Sequence, residues 1–158
     1  MRRARLLALA AILCAVAVPS ASGSPGVRFG IQDDAWLLHG GGTLDQRLDR
    51  LEALGVDLVR FNLHWDRIEP AQGTYDWRDS DLVLNGLRSR GIPAVVGIVG
   101  SPKWANGGRA PNYAPSAAAF SSFAREAATR YRFVNQWLMW NEPNQVRWLR
   151  PTNARTYV

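Results

Sequence analysis

Ala94-Val95-Val96-Gly97-Ile98-Val99 is an unbroken apolar run, with Pro93 before it and Gly100 after it. A strand with one wet face alternates apolar and polar residues. A strand covered on both faces reads as continuous Val, Ile and Leu. The run is therefore expected to lie inside a parallel sheet. Upstream of it, a helix is expected from Ser80 to Arg90, with Val83, Leu84 and Leu87 facing inward and Gly91 ending it.

The same strand–helix alternation extends in both directions. Towards the N-terminus, a first strand is expected over Val27 to Gln32, closed by Asp33-Asp34. Thr43 and Gln46 then form a capping-box pattern. Leu44, Leu48, Leu51 and Leu54 fall on one face of the helix that follows, and Gly55 stands where a helix needs a left-handed residue to end. A second strand runs from Asp57 to Leu63, and His64 to Trp77 reads as a long loop. Towards the C-terminus, the loop Gly100 to Pro115 is rich in Gly, Pro and Asn. Ser116 caps a third helix, in which Phe120, Phe123, Ala124, Ala127 and Tyr131 keep the helical period. Asn135 to Trp140 is the fourth strand, and Pro151-Thr152 opens a fourth helix.

Strand starts lie roughly 30 to 42 residues apart, the size of a βαβ unit. Alternating elements imply parallel strands with helices outside. The loops after strands are longer and more aromatic than those after helices. That asymmetry fits the first half of a (β/α)8 TIM barrel, about four βα units, whose sites lie at the C-terminal ends of the strands. A doubly wound open sheet is the alternative, but no Gly-x-Gly-x-x-Gly follows the first strand, so a dinucleotide site is unsupported.

The N-terminus reads differently. Met1-Arg2-Arg3-Ala4-Arg5 precedes an uncharged stretch from Leu6 to Val18 and then Pro19-Ser20-Ala21-Ser22-Gly23. The stretch is shorter than the roughly 20 residues that span a bilayer. A basic start, a short apolar core and small residues make residues 1–23 a secretory signal peptide. The remainder, 27–158, is one partial barrel domain, secreted and without a membrane anchor after cleavage. Cys14, the only cysteine, leaves with the leader, so no disulfide staples the mature chain. Loss of Arg2, Arg3 and Arg5 halves the formal net charge of +6. The remaining arginines are scattered among acids, without the basic stripe that nucleic acid requires. Two distant histidines, His39 and His64, give no metal centre, and no cofactor is expected.

The chemistry gathers at the expected strand ends. Trp137-Leu138-Met139-Trp140-Asn141-Glu142-Pro143-Asn144 ends an apolar strand in a single carboxyl group. Walled by indole rings, such a group would hold its proton longer and suit proton donation. Asp33 and Asp34 follow the first strand. Arg60, Asn62, His64, Trp65 and Asp66 follow the second, and Ser101, Lys103, Trp104 and Asn106 the third.

Three of these segments carry a resemblance. Arg60-Phe61-Asn62-Leu63-His64-Trp65-Asp66-Arg67-Ile68-Glu69-Pro70 with Gly73-Thr74-Tyr75-Asp76-Trp77 resembles the second-strand segment of the retaining (β/α)8 glycoside hydrolases of clan A. Ser101-Pro102-Lys103-Trp104 is similar to the Pro-x-Trp after their third strand. Trp140-Asn141-Glu142-Pro143 is similar to the Asn-Glu-Pro after their fourth. The resemblance covers about residues 27 to 150. Family 5 members commonly carry a histidine where Gly100-Ser101-Pro102 stands here, so the pattern leans towards family 39-like relatives.

The resemblance implies hydrolysis of O-glycosyl bonds in a β-linked oligo- or polysaccharide by a retaining mechanism. Glu142 would be the acid/base, Asn141 would bond the sugar 2-hydroxyl, and Arg60 would keep the nucleophile ionised. Trp65, Trp104 and Trp140 are candidate sugar platforms, with ordinary packing as the alternative: the two readings stand even for Trp140, and stacking is favoured for Trp104 in its polar loop. His64 could line the site or satisfy a backbone carbonyl, and of Asp33 and Asp34 one, Asp34, is the candidate for binding distal sugars. Tyr75 and Trp77 are expected to pin the second loop, and Glu69 to cap it. The second carboxylate of the mechanism sits on the seventh strand of such barrels. Glu52, Glu69 and Glu126 have no such context, so the chain is expected to be a fragment lacking its nucleophile and the C-terminal half of the barrel, inactive alone. The competing expectations are a non-catalytic carbohydrate-binding half-barrel and a nonfunctional truncation.

Overall fold

The strand β2 (Leu58–His64) shows how the sequence divides the molecule. In the computed structural model, which describes residues 26–157, Val59, Phe61 and Leu63 are buried in the apolar core. Successive side chains on a strand point to opposite faces, so Arg60, Asn62 and His64 occupy the other face. One face of β2 is thus hydrocarbon and the other polar.

Four strands form one parallel sheet in the order β1 (Gly30–Ile31), β2, β3 (Ala94–Val99) and β4 (Gln136–Met139). The register sets Arg60 beside Val95, Asn62 beside Gly97 and His64 beside Val99. Val95 then pairs with Gln136 and Gly97 with Leu138. Between strands run α1 (Asp34–His39) and α2 (Leu44–Ala53), α3 (Trp65–Ile68) and α4 (Arg78–Ser89), and α5 (Ala117–Arg130), with α6 (Ala154–Tyr157) after β4.

The core lies between the sheet and these helices. Val59, Phe61, Leu63, Val96 and Ile98 from the strands meet Leu48, Leu51, Val83, Leu84, Leu87 and Phe123 from α2, α4 and α5. The strand order is sequential, and the helices pack on one face. A doubly wound sheet would carry helices on both faces and reverse its strand order. The architecture is therefore four βα units of a (β/α)8 barrel, and the face of Arg60 and Asn62 corresponds to the barrel interior.

The local signals act as expected in α2 and α5. Thr43 Oγ1 accepts from Gln46 N at 3.2 Å while Gln46 Oε1 accepts from Thr43 N at 3.0 Å, a complete capping box. Ser116 Oγ accepts from Ala119 N at the start of α5. Gly55 and Gly91 take left-handed φ values of 66° and 67° after α2 and α4, where a side chain would be strained.

Three boundaries differ from the sequence reading. β1 keeps only Gly30 and Ile31 of the expected Val27–Gln32. Phe29 N donates to Asp57 Oδ2 at 2.7 Å, so a side chain holds this part of the edge. The helix α1 was not expected, because Trp36, Leu37 and Leu38 are too few to show a period. Asp33 caps it, accepting from Trp36 N at 2.9 Å. The expected loop His64–Trp77 contains α3. Its later part is pinned by an aromatic stack, Tyr75 on Trp77 and Trp77 on Phe123, as anticipated for Tyr75 and Trp77. The expected signal peptide, residues 1–23, lies outside the described residues.

Arg47 performs a task that its charge did not advertise. It is only 5% exposed, on the inner side of α2. Its guanidinium donates to the carbonyls of Leu37, Gly40 and Gly42 at 3.1, 2.7 and 2.7 Å. These carbonyls belong to the end of α1 and the glycine turn, which have no regular partners. Buried acceptors left unpaired cost about 1–3 kcal/mol each. Arg47→Met keeps the aliphatic stem and removes the donors. It is expected to lower stability by about 2–4 kcal/mol, read as a lower urea midpoint at unchanged slope. An unchanged midpoint would show that water serves these carbonyls equally well.

Candidate active site

Arg60 is the centre of the polar face. Its Nη2 donates to Asn141 Oδ1 at 2.7 Å, which joins the middle of β2 to the loop after β4. Its Nε is buried and has no partner among the described residues, and no carboxylate there pairs with it. Below the usual desolvation limit, an unpaired buried donor of this kind calls for an acceptor. One step along β2, Asn62 is 8% exposed. Asp34 accepts from Asn62 N at 3.2 Å and from Asn62 Nδ2 at 2.8 Å, so the N-terminus of α1 orients the amide. Asn62 Oδ1 is the second buried atom without a partner. It faces Gly97, where any Cβ would overlap it. Gly97 is therefore the space that Asn62 occupies.

The chain turns sharply around Asn141. Trp140 and Glu142 both adopt positive φ, 76° and 39°. Non-glycine residues pay roughly 1–3 kcal/mol for such conformations, which concentrate at functional sites. Between them, Asn141 is held by Arg60. The amide oxygen is engaged by the guanidinium, which leaves its NH2 group as a donor.

Two loops are zipped together above this turn. Arg150 N donates to Asn112 O at 2.8 Å and Ala114 N to Arg150 O at 2.9 Å. Asn112 Nδ2 adds a bond to Val146 O at 3.0 Å. Ser101 and Asn106, expected as polar site groups, are buried and spend their bonds inside the third loop. Asn106 Nδ2 donates to Ala110 O at 2.9 Å and to Ser101 Oγ at 3.1 Å. They shape the loop that presents Asn112. The result is a cavity of about 290 Å3 at the ends of β2 and β3, lined by His64, Asp66, Arg67, Asn112, Arg147 and Trp148. Arg67, Asn112, Arg147 and Trp148 were not singled out from the sequence. Trp148 alone carried a signal, an aromatic in a strand-end loop.

The expected site residues separate into three groups. Arg60, Asn141, Glu142, His64 and Asp34 lie on or beside the barrel-interior face and its rim. Trp65 and Trp140 do not offer the open ring faces expected of sugar platforms. Trp65 is fully buried, stacked on Phe123 at 5.2 Å, with its Nε1 donating to Glu69. Trp140 is 7% exposed and donates from Nε1 to Trp148 O at 2.7 Å. Trp65 is drawn into the helical core, while Trp140 packs beside Phe120 of α5, 6.2 Å between ring centroids. Trp104 is half-buried in a different groove, with Tyr75 and Gln72, and its Nε1 donates to Glu69 O at 3.0 Å. Glu69 is the loop cap expected of it, accepting from Trp65 Nε1 at 2.7 Å and Gly73 N at 2.8 Å. Glu142 is exposed, so the dry indole-lined crevice expected around it is not built by residues 26–157. The indole N–H of the neighbouring Trp140 is spent on Trp148 O. Among the described residues, no cluster of His, Cys, Asp and Glu could hold a metal ion.

Solved structures with this fold are known. The chain is 28% identical to a beta-glucosidase from Exiguobacterium marinum over 63% of its own length and 24% of that chain, with a TM-score of 0.54. It is 20% identical to a family 39 glycoside hydrolase from Bacteroides cellulosilyticus WH2, over 73% of this chain and 24% of that one, with a TM-score of 0.55. For the exo-beta-1,4-mannosidase Op5Man5 from Opitutaceae bacterium strain TAV5 the values are 19%, 75%, 26% and 0.59. At such identities the last two likenesses concern the fold, which is that of the N-terminal half of these barrels. The chain spans about a quarter of the length of these structures. No protein-family model and no curated protein matches the sequence.

Two outcomes are expected from this geometry. Burial, and secondarily Arg67, hold the His64 imidazole below its usual 6.5, against the opposing pull of Asp66 and Asp34. The folded state thus favours neutral His64, while the unfolded chain takes up the proton. Stability attributable to His64 is full above the ordinary imidazole range and falls as pH drops through 6.5 towards its folded pKa. An NMR titration should place its midpoint below 6.5, and His64→Gln should flatten the acid side of the stability profile between these limits. Gly97→Ala should displace the Asn62 amide and cost about 1–3 kcal/mol, measured by urea unfolding. Wild-type stability in that variant would mean that the strand yields freely at Gly97.

Proposed function

We propose that this chain carries the acid/base half of the catalytic site of a glycoside hydrolase that cleaves β-linked sugars with retention. The observation that supports it most is the Arg60–Asn141 hydrogen bond beneath Glu142, with left-handed residues on both sides of Asn141. The fold shared with glycoside hydrolases adds to it.

In this reading Glu142 protonates the departing glycosidic oxygen and later takes a proton from the attacking water. Its exposure leaves it open to a bound saccharide. The walls around it are then the sugar itself and the rest of the barrel. Asn141, its oxygen held by Arg60, points its NH2 group at the sugar 2-hydroxyl, a contact that strengthens in the transition state. Arg60 Nε awaits a carboxylate, and the nucleophile would supply it. A guanidinium beside that nucleophile keeps it ionised. In this reading that carboxylate is none of the acids among residues 26–157, none of which pairs with Arg60. The two-carboxylate mechanism calls for no metal. The basic start and apolar core of residues 1–23 support export of the protein.

Nitrophenol release from aryl β-glycosides by the intact gene product tests the assignment. Glu142→Gln should lower the rate about 10²–10⁴-fold. Asn141→Ala should lower it as well, through loss of the 2-hydroxyl contact. Activity retained by Glu142→Gln would remove Glu142 from the chemistry. Residues 1–158 alone should give no turnover, and turnover by them that Glu142→Gln abolishes would show that the nucleophile lies within this chain.

A further inference from the structure

The cavity at the ends of β2 and β3 has a charge that neutral sugars do not require. Arg67 and Arg147 both line it, one from α3 and one from the loop after β4. Both are exposed, and neither makes a side-chain hydrogen bond or an ion pair among the described residues. By contrast, Arg78, Arg90 and Arg130 all pair with acids elsewhere on the surface.

The one acid in the cavity is Asp66. Its carboxylate is packed over Gly100, where any side chain would overlap it, and its backbone N donates to Gly100 O at 3.2 Å. Against this single carboxylate the cavity sets two guanidinium groups. Arg147 is held over the Trp148 ring, 5.5 Å from its centroid. The loop that carries both is fixed by the bonds between Asn112, Val146 and Arg150. A cation on an anchored loop loses little freedom when it binds, and the guanidinium fork matches planar and tetrahedral oxyanions.

Resting on the glycosidase reading, we propose that this cavity is a subsite for a negatively charged sugar residue, a uronate or a sulfated sugar, held by Arg67 and Arg147. Trp148 offers an apolar edge to the ring, and Asn112 a side-chain oxygen to its hydroxyls. The substrate is then an acidic glycan, not a neutral one.

Binding to the intact protein is measured by NMR titration with methyl β-glucuronide, its neutral methyl ester, methyl β-glucoside 6-sulfate and methyl β-glucoside. The glucuronide should bind about tenfold more tightly than its ester, and the preference should shrink as salt is raised. Comparison of glucuronide with sulfate identifies which anion the site takes. In the Arg67→Gln/Arg147→Gln double variant the ratio of acid to ester should fall to about one. In Arg125→Gln, an exposed cation on α5, it should persist. Binding of both the glucuronide and the sulfate no tighter than their neutral counterparts by the wild type would overturn the proposal, as would an anion preference that the double variant retains. Hydrolysis of neutral aryl β-glycosides that depends on Glu142, with no anion preference, would overturn this inference and leave the catalytic assignment standing.

Discussion

Alternation along a single strand governs this molecule. Val59, Phe61 and Leu63 bury one face of β2 in the helical layer, and that burial leaves Arg60, Asn62 and His64 no choice but the opposite face. A slip of one residue would place a guanidinium in the hydrocarbon core. The register is therefore enforced by the large cost of burying an unpaired charge. Because β2 is fixed, Arg60 reaches Asn141 and Asp34 reaches Asn62. The site inherits its geometry from the core.

The architecture was legible because it rests on strong, local patterns. The apolar run of β3, the capping box at Thr43 and the glycines at 55 and 91 each have one natural structural meaning, and the structure gives each of them that meaning. The extent of β1 was less legible. Hydropathy sees Val27 and Phe29 as strand residues, but it cannot see that Asp57 holds that edge through its side chain. The helix α1 escaped for a related reason, since six residues contain too few turns to reveal a period.

The placement of the polar residues was legible in the sequence, and that of the aromatics was not. Arg60, Asn141 and Glu142 sit on the barrel-interior side or its rim because a charged or amide group at a strand end has few other places to go. An indole has more. Trp65 and Trp140 could equally face a ligand or the core, and contacts distant in sequence decide between the two. Phe123 captures Trp65, and the carbonyl of Trp148 captures Trp140. Arg67, Arg147 and Asn112 were hidden because their importance comes from convergence. Only the bonds between the third and fourth loops bring them around one cavity.

Those bonds also make the two loops a single mechanical body. A residue inserted into one would tilt the other, and Glu142 would travel with it. Variation in what the third loop touches is thereby tied to the position of Glu142, so a change in one loop would have to be matched by a change in the other.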